Sequence, residues 1–124
     1  MVLKAKKSIL VVDDEPDIVT IIEAFLRKSG KSVRGFTDPV LALEHFQQHS
    51  DEYDTVISDI RMPGMNGFEL VRKLGDINPE LRIFIMTAFE MYKSEFEKVF
   101  PSIKIADVIE KPVSMYRLLK IIEA

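Results

Sequence analysis

Thr55-Val-Ile-Ser-Asp-Ile-Arg-Met-Pro-Gly-Met-Asn-Gly-Phe-Glu-Leu-Val-Arg-Lys-Leu74 runs from an apolar stretch through a turn into a helix. Thr55–Ser58 is short and bounded by hydroxyls, which suits a buried strand, and it ends at Asp59. Arg61-Met-Pro-Gly-Met-Asn-Gly67 carries the Pro-Gly chemistry of a turn. Asn66 with Glu69 forms a cap-like start for a helix over Gly67–Leu74. Strand, acid, turn and helix therefore follow one another without a linker.

The same order recurs on both sides. Ser8–Val12 is a compact apolar run, and Asp14 is placed to cap a helix with Glu15 and Pro16 in its first turn. Ile18, Ile21, Ile22 and Phe25 recur at helical spacing, and Gly30 supplies the stop. Lys31–Phe36 reads as a second, more exposed strand, and Asp38-Pro39 starts a helix with Val40, Leu43 and Phe46 on one face. Arg82–Met86 is a fourth strand, Glu90–Val99 a charged amphipathic helix, and Ile105–Ile109 a fifth strand. Ser114 caps the last helix, with Val113 and Leu118 placed for a hydrophobic staple. Strands alternating with helices predict parallel β-α units, hence an α/β sheet covered on both faces.

Composition bounds the rest. A chain of 124 residues fits one domain, expected over 1–124, and 47% hydrophobic content can build its core. The formal charge of −3, with a pI near 5.4, gives no electrostatic footprint for direct nucleic-acid binding. Without cysteine, disulfides, thiolate metal sites and Cys nucleophiles are excluded. The basic start Met1–Lys7 precedes an apolar run too short for a secretory signal, and no stretch approaches a membrane span. The expected location is cytoplasmic, away from the membrane.

Ligands of such sheets bind beyond the carboxyl ends of the strands. Asp13, Asp14 and Glu15 follow the first strand, Asp59 ends the third, Thr87 follows the fourth, and Lys111-Pro112 follows the fifth. Crowded carboxylates need a compensating cation or raised pKa values. A hard oxygen cluster suits Mg²⁺, and an aspartate can itself accept a phosphoryl group. Lys111 and the Thr87 hydroxyl could neutralise the equatorial oxygens. A metal-assisted phosphoryl site is thus a plausible reading of the residues.

Ile9-Leu-Val-Val-Asp-Asp-Glu-Pro16, Asp54-Thr-Val-Ile-Ser-Asp-Ile-Arg-Met-Pro-Gly-Met-Asn-Gly-Phe-Glu-Leu70, Ile85-Met-Thr-Ala88 and Lys111-Pro112 resemble the motifs of response regulator receiver domains, in order and nearly at their spacing. The resemblance spans about Ser8 to Ile122. It implies a doubly wound, CheY-like (flavodoxin-like) five-stranded parallel sheet of order 2-1-3-4-5 flanked by five helices. It implies Asp59 as phosphoacceptor, with Asp14 and Asp59 holding Mg²⁺ by side chain, Arg61 by its backbone carbonyl, and Asp13 mostly through water. Thr87 would follow the phosphoryl group, Lys111 would pair with it, and the Lys111-Pro112 bond would be cis. The implied role is signalling: the domain catalyses only its own phosphorylation and dephosphorylation. The donor would be a sensor histidine kinase or phosphotransfer protein. A downstream effector or a second copy would use the fourth helix, fifth strand and last helix.

The chain departs from that pattern in places. Val108 stands where relatives often carry an aromatic ring, and Phe100-Pro-Ser-Ile-Lys104 is a slightly longer loop. Phe89 and Tyr92 are then the nearest aromatics expected to repack, and Arg61 with Phe89 is expected to shield the phosphoryl group from water. His45 and His49, four apart, read as a solvated pair rather than zinc ligands, since no third ligand is evident. A flavodoxin-like electron carrier is disfavoured because Asp13-Asp-Glu15 would repel a flavin phosphate. An aspartate-based phosphatase is disfavoured because Ile60-Arg61, not a second acid, follows Asp59. A degenerate, unphosphorylated receiver is disfavoured by the intact acid set.

Overall fold

A computed structural model describes residues 7–88 and 93–124. The elements are β1 (Ser8–Val12), α1 (Pro16–Lys28), β2 (Val33–Phe36), α2 (Pro39–His49), β3 (Tyr53–Asp59), α3 (Gly67–Ile77), β4 (Arg82–Thr87), α4 (Lys93–Val99), β5 (Asp107–Glu110) and α5 (Met115–Glu123). The five strands form one parallel sheet ordered β2-β1-β3-β4-β5, as the resemblance implied. The chain reverses direction across the sheet between β1 and β3, which opens a crevice at their carboxyl ends.

Strand alternation builds two cores. Leu10, Val12, Val56, Ile83, Ile85 and Val108 face the core shared with α2, α3 and α4. Ile9, Val11, Ile57, Phe84, Met86 and Ile109 face the core shared with α1 and α5. Successive side chains point to opposite faces, so a strand buried on both sides must be apolar throughout. Each fully buried Leu, Ile or Phe contributes about 1.5–3 kcal/mol.

The caps divide into confirmed and corrected. Asp38 accepts from the Val40 and Leu41 amides, Asn66 from Glu69, and Ser114 from Arg117. Gly30 ends α1 at φ 84°, a conformation that disfavours any Cβ. Asp14 does not cap α1. Glu15 occupies that position without a side-chain bond, and its own amide donates to Asp13 Oδ1 at 2.9 Å. Asp14 is thereby left turned toward the crevice rather than committed to the helix.

Burial faces also shift. Val19, Ile22 and Leu26 line the buried side of α1, whereas Ile21 is exposed. Ala42, Leu43 and Phe46 bury α2, whereas Val40 is exposed. Several registers of one apolar-rich helix satisfy a 3.6-residue period, and the sheet contact selects among them. Lys31 and Ser32 precede β2, which begins at Val33. Ile105 lies outside β5, because the ladder to β4 begins with Phe84 opposite Asp107, yet it is buried. Glu90, at the expected start of the fourth helix, falls outside the described residues.

His45 and His49 are not simply solvated. Their rings stack at 4.5 Å, His45 Nε2 bonds the Tyr53 hydroxyl at 2.7 Å, and His49 Nδ1 meets Glu52. Burial, then Arg34 and His49, lowers the His45 pKa from 6.5, against a weaker opposing pull from Glu52. A lowered histidine favours the neutral folded form, so its stabilisation is present above the unfolded pKa and lost as pH falls through the folded value. Urea midpoints at about pH 7.5 and about pH 5 should therefore fall more for the parent than for His45→Gln. Equal pH sensitivity would contradict this.

Candidate functional site

The strand ends bring the predicted groups together. Asp13 continues the β1 ladder, its amide donating to Phe36 O at 3.1 Å, and its carboxylate is completely buried. Asp59 closes β3 and Thr87 closes β4, both buried. Lys111 follows β5, and its amide donates to Thr87 O at 2.7 Å, which seats it beside the crevice. The Lys111-Pro112 bond is cis. Arg61 lies exposed just past Asp59.

Lys111 Nζ approaches Asp13 Oδ2 at 2.9 Å, Asp59 Oδ1 at 3.4 Å and the exposed Glu15 at 3.6 Å. Burial alone would lower Lys111, but bonding and charge from Asp13 and Asp59 outweigh it and raise its pKa. Asp59 is also raised, first by burial and then by the Asp13 charge, while Lys111 and the Ile60 amide pull it back. One lysine therefore leaves Asp59 under residual electrostatic stress.

Carboxylate oxygens of Asp13, Asp14 and Asp59 lie within 4.8 Å of one another. Asp13 Oδ2 is buried and ion-paired with the Lys111 ammonium at 2.9 Å, an ammonium it shares with Asp59 and Glu15. Three converging carboxylates, two of which share one ammonium, an acid raised by burial and a neighbouring charge, and an all-oxygen donor set fit a hard divalent cation. The residues present thus suit Mg²⁺.

Two features of the site are not visible as motifs. A Cβ on Gly67 would lie 2.0 Å from Asp59 O, because the Gly67 amide donates to Ile60 O at 2.7 Å. Phe68 stacks on Phe100 at 4.1 Å and tilts against Phe96 at 5.2 Å, joining α3 to α4. The glycine's place at the first turn of a helix was the only available hint to the former. Residues 28 and 32 positions apart carry no pairing signal for the latter. Phe89 and Tyr92, expected to repack, lie outside the described residues.

Residues 9–123 match the response regulator receiver domain family. The chain is 32% identical over 115 residues to the two-component response regulator ORR26 of Oryza sativa subsp. japonica, covering 91% of this chain but 19% of that protein. It is 31% identical over 117 residues to the response regulator receiver protein CpdR of Brucella abortus, covering 94% of each. The structure resembles the chemotaxis protein CheY4 of Vibrio cholerae with a TM-score of 0.84 at 26% identity, covering 96% of this chain and 98% of that one.

Proposed function

Because this chain belongs to the response regulator receiver domain family, we propose that Asp59 accepts a phosphoryl group from a partner histidine kinase or phosphotransfer protein and thereby switches a binding surface. The observation that carries this reading is the meeting of Asp13, Asp14 and Asp59 within 4.8 Å, with Lys111 held between two of them. No rival arrangement of nucleophile and base is needed. Asp59 is an ionisable oxygen at the mouth of a crevice, and phosphoryl transfer asks mainly for positioning and charge neutralisation.

In the transfer, an Asp59 carboxylate oxygen attacks the donor phosphorus. The new P–O bond forms as the donor's P–N bond breaks, and the leaving imidazole nitrogen keeps the electron pair. The Lys111 ammonium and Thr87 hydroxyl pair with phosphoryl oxygens. Asp14 and Asp59 would hold Mg²⁺ by side chain, Arg61 by its carbonyl and Asp13 mainly through water. Bound there, the ion supplies positive charge to the phosphoryl oxygens. Attack of water on phosphorus later returns the Asp59 carboxylate and inorganic phosphate, so the chain acts on itself rather than on an external substrate.

Residues 1–124 then act as one receiver unit, working in the cytoplasm. Its output is a changed α4, β5 and α5 surface offered to an effector or a second copy. Among the described residues no helix is long and apolar enough to cross a membrane. Incubation with acetyl phosphate and Mg²⁺ should add one phosphoryl group by intact mass, and a chelator should prevent it. A full label in the chelated sample would overturn the metal's part.

The acids should differ in weight. Asp14→Ala removes a direct ligand and should weaken Mg²⁺ binding at least about tenfold. Asp13→Ala removes a water-mediated contact and should weaken it less. Titration of Mg²⁺ against both variants reads the ranking, and equal losses would contradict it.

A further inference from the structure

An acceptor that controls a distant surface needs an element with two arrangements that the phosphoryl group distinguishes. Val108 is buried in the core between β5 and α4, and its branched side chain has no long ring to swing between inner and outer places. Another aromatic contact does reach from the acceptor turn to α4. Phe68 is the second residue of α3, close after that turn.

Phe68 lines an open cleft of about 530 Å³ together with Ile60, Arg61, Met62, Pro63 and Asn66, the turn that follows Asp59. Its ring also stacks on Phe100 with centroids 4.1 Å apart and an interplanar angle of 25°. Phe96 lies 5.2 Å from both rings and is completely buried, so it anchors α4 beneath them. The Phe100 amide donates to Phe96 O at 2.9 Å, which ties the residue just past α4 to the last turn of that helix.

Resting on the acceptor reading of Asp59, we propose that Phe68 is the positioning residue through which the acceptor turn controls α4. In the arrangement seen here the ring is stacked and holds the Phe96–Phe100 end of α4 against α3. The adjoining open cleft gives the ring a place to move into when the turn shifts. Leaving the stack forfeits aromatic contacts on both Phe96 and Phe100 and releases that end of the helix. The coupling is an equilibrium between the two ring positions, biased by what occupies Asp59.

Hydrogen exchange with and without beryllofluoride and Mg²⁺ tests this on the full chain. The parent should change protection at 59–66 and, by about fivefold, at 93–100. Phe68→Leu and Phe100→Leu should keep beryllofluoride binding and the change at 59–66 while losing most of the change at 93–100. Phe46→Leu, a core truncation on α2, should lower the melting temperature yet keep both responses, separating coupling from stability. An undiminished response at 93–100 in Phe68→Leu overturns the proposal and leaves the acceptor reading intact. So does a parent that binds the mimic without any change at 93–100. A parent that binds no beryllofluoride overturns the acceptor reading and, with it, this link.

Discussion

Asp59→Asn should take up no phosphoryl group from acetyl phosphate and Mg²⁺ under conditions where the parent gains one. The substitution keeps the shape of the side chain but replaces an anionic oxygen with an amide that cannot attack phosphorus. Loss of label should not reflect loss of fold. Burial and the Asp13 charge hold the Asp59 carboxyl above its ordinary value, so ionised Asp59 is strained in the folded state. A neutral amide removes that strain and should leave the melting temperature near the parent's, even though Lys111 loses one of its partners. Intact mass and thermal melting on the same samples give both readouts. A variant that melts normally and labels as the parent does would show that the acceptor lies elsewhere.

Gly67→Ala should be among the most damaging single-methyl changes available in this chain. The added Cβ would meet Asp59 O at 2.0 Å and Ile60 Cα at 2.8 Å, and both are backbone atoms that no rotamer change can move. Relief requires the first turn of α3 to back away from the end of β3, breaking the 2.7 Å bond from the Gly67 amide to Ile60 O. Overpacking of that kind costs about 3 kcal/mol or more when backbone must move. The same shift displaces Asp59 from Lys111, so phosphorylation should slow beyond what the lost stability explains. Gly30→Ala is the comparison. It sits at φ 84° in open space, so its cost is backbone strain alone, about 1–2 kcal/mol, with phosphorylation unaffected. Urea unfolding ranks the two, and a Gly67→Ala variant as stable as the parent would refute the close-contact argument.

Legibility differed between the elements and the site. The inner strands β1, β3 and β4 were readable because a strand buried on both faces is apolar through its middle, a local property of the chain, whereas the half-exposed edge strands β2 and β5 were each started two residues early. The Asp38, Asn66 and Ser114 caps were readable for the same reason, since cap and amide lie within three residues. Asp14 failed as a cap because two adjacent acids offered equally good local chemistry. Asp13 took the Glu15 amide and left Asp14 at the crevice. The inward faces of α1 and α2 were off by a residue or so, since propensity does not say which side of an apolar-rich helix meets the sheet.

By itself the sequence determined that strands and helices alternate, that acids, a hydroxyl and an ammonium stand at strand ends, and that cysteine chemistry is absent. Periodicity and end position are written residue by residue, so they need no neighbour in space. The tertiary structure decided what depends on distances across the sheet. Asp13 is completely buried while Asp14 is not, and Lys111 lies closer to Asp13 than to Asp59. Gly67 abuts the acceptor's carbonyl, and Phe68 joins rings from a helix far along the chain. Those separations are set by the order of the strands and by how α3 and α4 dock on the sheet, both properties of packed surfaces that no single stretch of sequence carries.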